Sequence, residues 1–420
     1  MVNSRLNLLK KQKNLVAIDI GASGVRVLES DFLGDEIEIL NFAYKSFDEE
    51  IYQNQLLAKQ DVVSNTLIKI FEENKISSND IVTAISGPAA FSKKISVTKM
   101  DNLEDLDSNI KFESNSLIPH GLDGVYFDYA ILQSSNNSNN VDVFITAVKK
   151  DIVNSIQNTL TQANLNLKIL DIDYLALLNL FEFNYPEFKD KTVALIDIGG
   201  RYSTINVCYN GEMLFSTNIP IGGRLIAEDL SNSFKTTISE TDLCNLENIQ
   251  IGTTQNESVK ENIVSINDSE LNNDSSVLLD NSSKSADLLN NTKIDSVQTV
   301  STSLNNSSLT SVPLQESLDK QIEKIANDLK KQLKYYWESG SLDSIEKIFI
   351  TGGGVYWKNI NKIFSQKFNI ECETLDPLRK VKIRDIPQKS DIIKRNQHLA
   401  VLLGLSLRRI GDSKKRYIRK

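Results

Sequence analysis

One pattern occurs twice in this chain and constrains its fold more than any other feature: an apolar strand ending in Asp-Ile-Gly, a tight turn, and a second strand. It appears at Val16-Ala-Ile-Asp-Ile-Gly-Ala-Ser-Gly-Val-Arg-Val and again at Val193-Ala-Leu-Ile-Asp-Ile-Gly-Gly-Arg-Tyr-Ser-Thr. A turn of this kind presents backbone N–H groups to phosphate oxygens, while the Asp at the strand end approaches a hydrated Mg²⁺. A third glycine cluster, Ile348-Phe-Ile-Thr-Gly-Gly-Gly-Val-Tyr, follows a strand and precedes a helix. Its bare backbone lets a nucleobase or phosphate come close. Each motif alone is a common structural turn. Together, in this order and at these separations, they predict two homologous α/β halves.

The segments between the motifs fit that plan. Residues 15–78 form the first part of half I: strand, glycine turn and strand over Leu15 to Leu28, alternating apolar residues from Asp35 to Ser46, and a helix over Gln60 to Asn74. Residues 79–150 read as a small α+β subdomain, with strands at Ile81 to Ile85, Ile95 to Val97, Val125 to Leu132 and Val141 to Val148 and a helix over Leu103 to Leu117. Residues 151–190 complete half I and supply a connecting helix. Residues 191–249 open half II, with a hairpin turn at Asn210-Gly211 and a helix from Gly223 to Phe234. Residues 250–314 are rich in Asn and Ser, and no aromatic residue occurs between Lys235 and Lys334. This predicts a disordered insertion with too little apolar surface to offset ordering entropy. Residues 315–410 finish half II with an amphipathic helix over Gln315 to Trp337, a buried strand, and an apolar helix from Gln397 to Arg408. Residues 1–14 and 411–420 are basic tails.

Composition excludes several functions. Lys plus Arg total 47 against 55 Asp plus Glu, a net charge of −8, which disfavours a nucleic-acid binder. Three cysteines (Cys208, Cys244, Cys372) and two histidines (His120, His398), in no ligand spacing, argue against a disulfide framework, a zinc module or a triad hydrolase and fit a reducing cytoplasm. The longest apolar run, Leu399 to Leu407, is about half of the ~20 residues a membrane span needs, and the basic start lacks a signal-peptide pattern. The tails read as solvated ends or as peripheral contacts with anionic lipid.

These motifs resemble the actin-like ATPase superfamily and, within it, the PilM family of type IV pilus assembly proteins, relatives of the division protein FtsA. The resemblance extends to Ile81-Val-Thr-Ala-Ile-Ser-Gly-Pro-Ala-Ala, Ile110 to Val125, Ile219-Pro-Ile-Gly-Gly-Arg-Leu-Ile-Ala-Glu-Asp-Leu and Asn396 to Arg408, and runs from about Leu15 to Arg409. It implies an actin-like, ribonuclease H-like duplicated fold that binds ATP and Mg²⁺, with at most slow ATPase activity. Asp19 and Asp197 would hold Mg²⁺ through water, and Gly21, Ala22, Ser23 and Gly24 would cradle the β-phosphate. Gly199 and Gly200 would take the γ-phosphate side. Arg26 stands where the family usually has a phosphate-directed Lys, a change of geometry at constant charge. Asp173 would orient an attacking water; as a residue at a helix start it reads equally as an N-cap. Gly352, Gly353 and Gly354 would contact the adenosine, and Gly222, Gly223 and Glu228 would lie beside the sugar. Glu247, where the family tends to place a Lys near the base, is a departure that affects adenine binding.

The same resemblance implies a partner, the cytoplasmic N-terminal peptide of an inner-membrane PilN-like protein docked beside the small subdomain, together with other pilus assembly proteins and a homo-oligomeric state. The chain is then a nucleotide-sensitive adaptor held at the inner membrane by its partner. An FtsA-like filament protein, a secretion-system adaptor and a small-molecule kinase are the competing functions. The kinase would require a polar, sugar-lined cleft that the sequence does not signal beyond Asp173.

Overall fold

The computed structural model of the protein describes residues 15–32, 35–47, 49–76, 78–119, 121–132, 139–246, 307–338 and 344–410. Both basic tails, His120, Glu247 and all but the end of the 250–314 insertion lie outside the described residues.

Half I opens with β1 (Val16–Gly21), β2 (Gly24–Phe32) and β3 (Ile37–Ser46), followed by a short hairpin of β4 (Tyr52–Gln53) and β5 (Leu56–Leu57), then α1 (Gln60–Glu73) and β6 (Asp80–Ile85). The chain next builds β7 (Ala90–Thr98), α2 (Leu103–Leu117), β8 (Val125–Ile131) and β9 (Asn140–Lys149) before returning through α3 (Lys150–Gln162), β10 (Asn166–Ile172) and α4 (Asp173–Asn184). Half II contains β11 (Val193–Ile198), β12 (Ser203–Tyr209), β13 (Glu212–Ile219), α5 (Gly223–Phe234), α6 (Ser307–Glu338), β14 (Lys347–Gly352), α7 (Ile360–Phe368) and β15 (Cys372–Thr374). The chain ends with β16 (Val381–Ile383), α8 (Lys389–Lys394) and α9 (Ala400–Ser406).

The two main sheets repeat one topology. Strand order is β10-β6-β1-β2-β3-β16 in the first and β13-β12-β11-β14-β15 in the second. In each, the motif strand runs antiparallel to its hairpin partner and parallel to its other neighbour. β1 and β11 are therefore central, and their near-continuous apolar sequences are buried on both faces. Strand β16 crosses back from half II to pair with β3, and α9 packs on α4 and β1. This is the α/β actin-like fold expected from the duplicated motif.

Local chemistry explains the elements. Asn102 caps α2 by accepting from the Asp105 N–H at 2.7 Å, with Glu104 and Asp105 against the positive end of the helix dipole. Asn210 and Gly211 both adopt positive φ, as the two-residue β12–β13 turn requires. Along α6, Leu314, Leu318, Ile322, Ile325, Leu329 and Leu333 are fully buried at spacings of three and four, a stripe that sits on half II.

Two expected boundaries shift. Strand β6 falls within the range read as the small subdomain, yet it pairs between β1 and β10 in the main sheet, so the separate three-stranded sheet, ordered β7-β9-β8, begins at Ala90. Helix α6 starts at Ser307, inside the range read as insertion, because Leu314 continues the buried stripe one turn before Leu318.

Candidate functional site

The three glycine turns meet where the halves face each other. The β1–β2 turn brings Gly21, Ala22 and Ser23 to the cleft, the loop after β11 brings Gly199 and Gly200, and the end of β14 brings Gly352, Gly353 and Gly354. They enclose a cavity of about 320 Å³, within the range of small-molecule sites. Asp19, Arg26, Asp173, Asp197 and Gly223 also line it.

The second loop is tied to the helix after it. Gly199 O accepts from Gly223 N at 3.0 Å and Gly200 O from Arg224 N at 2.8 Å, so the start of α5 and its positive dipole end are held against the loop. At the third turn Gly352 has φ +85°, and a Cβ there would lie 2.2 Å from Asp197 Oδ1. Only glycine lets β14 run beside the Asp197 carboxylate in this register.

Three carboxyls shape the electrostatics. Asp197 is pushed up to about 6, by burial first and then by the charge of Asp19, with Arg26 pulling the other way. Asp173 is pushed up to about 7, chiefly by burial, with Asp197 and Asp19 adding to the rise. Its Oδ1 accepts from Gly87 N at 2.9 Å and from its own neighbour Tyr174 N at 2.6 Å, which favours the charged form but does not restore the ordinary value. Asp173 is the first residue of α4 and Ile172 occupies the N-cap. A divalent cation would relieve this repulsion, and two acidic groups suit a Mg²⁺ that keeps most of its waters. Among the described residues, no group of three His, Cys, Asp or Glu side chains forms a direct metal cage. The donor set fits Mg²⁺ with a phosphorylated ligand.

Arg26 lies opposite Asp19 in the β1–β2 register, and its Nη1 is 3.0 Å from Asp19 Oδ2. The guanidinium therefore pairs with a carboxylate inside the cleft, over the Tyr44 ring at 5.3 Å, and Arg395 approaches the same ring at 5.2 Å. His398, pushed down to about 4 by burial and by the charges of Arg26 and Arg395, stands neutral beside Gly353.

Not every expected contact is present. Glu228 lies outside the cleft; its side chain is 61% exposed and pairs with Arg224 one turn back. Its place in α5 explains this, since the buried face of that helix carries Ile226, Ala227 and Leu230. Gly222 and Gly24 support the loops without lining the cavity. The sequence alone does not mark Tyr44, Glu240 and Arg395, which sit in no motif, nor the cleft positions of Arg201, within the second motif, and His398. They arrive through tertiary packing; Arg201, directly after Gly200, and His398, one residue past the buried Gln397 that contacts Thr351 beside Gly352, had a signal nearby.

A family model described as type IV pilus assembly protein PilM matches residues 17–263 and 305–410. Among solved structures, a PilM–PilN type IV pilus biogenesis complex aligns with a TM-score of 0.69 at 16% identity, over 94% of this chain and 98% of that one. Ethanolamine utilization protein EutJ from Carboxydothermus hydrogenoformans aligns at 0.47 and 12% identity, over 94% of this chain and 89% of that one. MreB5 of Spiroplasma citri bound to ADP aligns at 0.40 and 11% identity, over 96% and 97%.

Proposed function

The chain belongs to the PilM family of type IV pilus assembly proteins, and from that premise we propose that it is a nucleotide-sensitive adaptor that binds Mg-ATP and docks the cytoplasmic N-terminal peptide of a PilN-like inner-membrane protein. The observation that carries this reading is the convergence of both Asp-Ile-Gly turns and the third glycine turn on one cavity. Gly21 to Ser23 and Gly199 to Gly200 would hold the phosphates through backbone N–H groups, Gly352 to Gly354 would admit the adenosine, and Asp19 and Asp197 would hold the metal through water. Mg-ATP supplies a charged cross-link between the halves and a cleavable phosphoanhydride. Asp173, held by two N–H groups at Oδ1, is the carboxyl assigned to orient a water at its other oxygen.

The small sheet supports peptide docking. Strand β8 is an edge strand whose Tyr126 is exposed, and α2 exposes Leu103 and Phe112. An extended peptide added to such an edge gains main-chain hydrogen bonds and places alternate side chains on exposed apolar groups. No helix among the described residues is long and apolar enough to cross a membrane, so the partner supplies the membrane attachment in this reading.

Fractionation of cells tests it. Deleting the gene for the PilN-like partner should release most of the protein from the membrane fraction, whereas removing Lys414 to Lys420 should weaken association only modestly, because a few basic residues are screened within about 8 Å at physiological ionic strength. Retention on membranes without the partner, lost when the tail is cut, would contradict the adaptor.

A further inference from the structure

The cleft contains a carboxylate that the reading above does not use. After α5 the chain reverses at Lys235, and Ser231 Oγ accepts from Ile238 N at 2.9 Å, which fixes the start of the segment that carries Glu240. From half II, the Glu240 side chain reaches across to half I. Ser23 Oγ donates to its Oε2 at 2.8 Å. The other oxygen, Oε1, is buried without a hydrogen-bond partner and lies 2.6 Å from where a Cβ on Gly200 would sit. A Cβ on Gly223, at the start of α5, would lie 3.7 Å from Glu240 Cγ. The carboxylate is thus wedged between the first glycine turn, the second glycine loop and a helix N-terminus, three features that together favour an anion.

We propose that Glu240 is a tethered competitor for the phosphate groups of the nucleotide and so determines how tightly phosphorylated ligands bind. The proposal rests on the nucleotide reading of the cleft. A phosphate chain laid between Ser23 and Gly200 would meet a like charge at contact distance, so the Glu240 side chain must swing away before the phosphates seat. Its departure breaks the Ser23 contact, a polar link across the cleft; others join Arg201 of half II to Glu50 of half I at 2.9 Å and to the Tyr52 carbonyl oxygen at 3.4 Å. The unpaired Oε1 is the sign of this competition: a carboxylate serving only to clamp the halves would have both oxygens satisfied. The competition grows with ligand charge and vanishes for a ligand without phosphate.

Calorimetric titration of the full chain with ATP, ADP, AMP and adenosine, in Mg²⁺, tests this on the wild type, Glu240→Gln and Glu240→Asp. Glu240→Gln keeps the shape and the Ser23 contact but removes the charge, and should tighten ATP by about tenfold or more, the scale of removing one unfavourable charge contact. The gain should decline through ADP and AMP and disappear for adenosine. Glu240→Asp, charged but shorter, should tighten ATP less than Glu240→Gln does. Equal ATP affinity for wild type and Glu240→Gln overturns the competitor while leaving the nucleotide site intact. Weaker binding of adenosine and ATP alike also overturns it, because Glu240 would then be a sugar contact. Absence of nucleotide binding by every variant removes the nucleotide reading and this inference with it.

Discussion

Asp19 and Arg26 face each other across the β1–β2 ladder, and that pairing decides what the first glycine turn offers a ligand. Arg26 balances Asp19 within the cleft, while Asp173 and Asp197 stay pushed up to about 7 and about 6. Asp19→Ala and Asp197→Ala should each weaken ATP binding in Mg²⁺ by about 10- to 100-fold, the usual cost of losing a group that orients a metal's shell. The affinity measured with a chelator present should barely move. Asp173 yields a pH prediction. Its folded-state value lies above the ordinary 3.8, so its contribution to stability is full below that ordinary value and is lost as pH rises through about 7. Asp173→Asn should therefore melt higher than the wild type at pH 8, by about 2 °C or more, with the gap closing toward pH 5. An equal difference at both pH values would show that burial does not hold this carboxyl protonated. The glycines and paired aspartates were legible in the sequence because a strand-ending turn dictates its own residue types. Glu240 and Arg395 were not, since each enters the cleft from a segment with no pattern of its own, and the alternation that marks β3 as a strand does not say that Tyr44 faces a ligand cleft.

Elements with strong local signals appear where their residues place them. Helix α2 spans Leu103–Leu117 and α5 spans Gly223–Phe234, the ranges read from sequence, because a capping Asn102 and a Gly-Gly entry mark their starts. Strand β6 falls inside the 79–150 range yet belongs to the main sheet, because its partners, β1 and β10, lie far away along the chain and an apolar run does not name its neighbours. The start of α6 was hidden by Pro313, which ordinarily marks a first helical turn but here lies inside the helix. The crossing of α4 and α9 is equally invisible in sequence. It depends on Gly404, where a Cβ would lie 1.8 Å from the Ala176 carbonyl oxygen. Gly404→Val should force these helices apart and destabilise the protein by about 1–3 kcal/mol, the range for overpacking a tight interior contact. Chemical denaturation measures this, and a change below about 0.5 kcal/mol would show that the crossing is loose.

At the scale of the whole molecule, the duplicated motif specifies two sheets of one topology with a cleft between them, while the small sheet of β7, β8 and β9 stands apart with its own core of Val97, Leu106, Ile110, Val143 and Ile145. The halves touch through a few cross-cleft contacts, Ser23 to Glu240 and Arg201 to Glu50 among them, and α3 joins the small sheet to the body of half I by following β9 directly. Ile152 and Ile156 of α3 line the cleft, so a ligand that rearranges it would act on an element continuous with the sheet proposed to dock the peptide. Such coupling must be reciprocal: if Mg-ATP changes the affinity for the peptide, the peptide changes the affinity for Mg-ATP by the same factor. The most direct measurement is a titration of the purified chain with the N-terminal cytoplasmic peptide of the proposed PilN-like partner, with and without Mg-ATP. The account predicts saturable binding in both conditions, with dissociation constants that differ by about fivefold or more. No peptide binding in either condition, or the same constant in both, would contradict it.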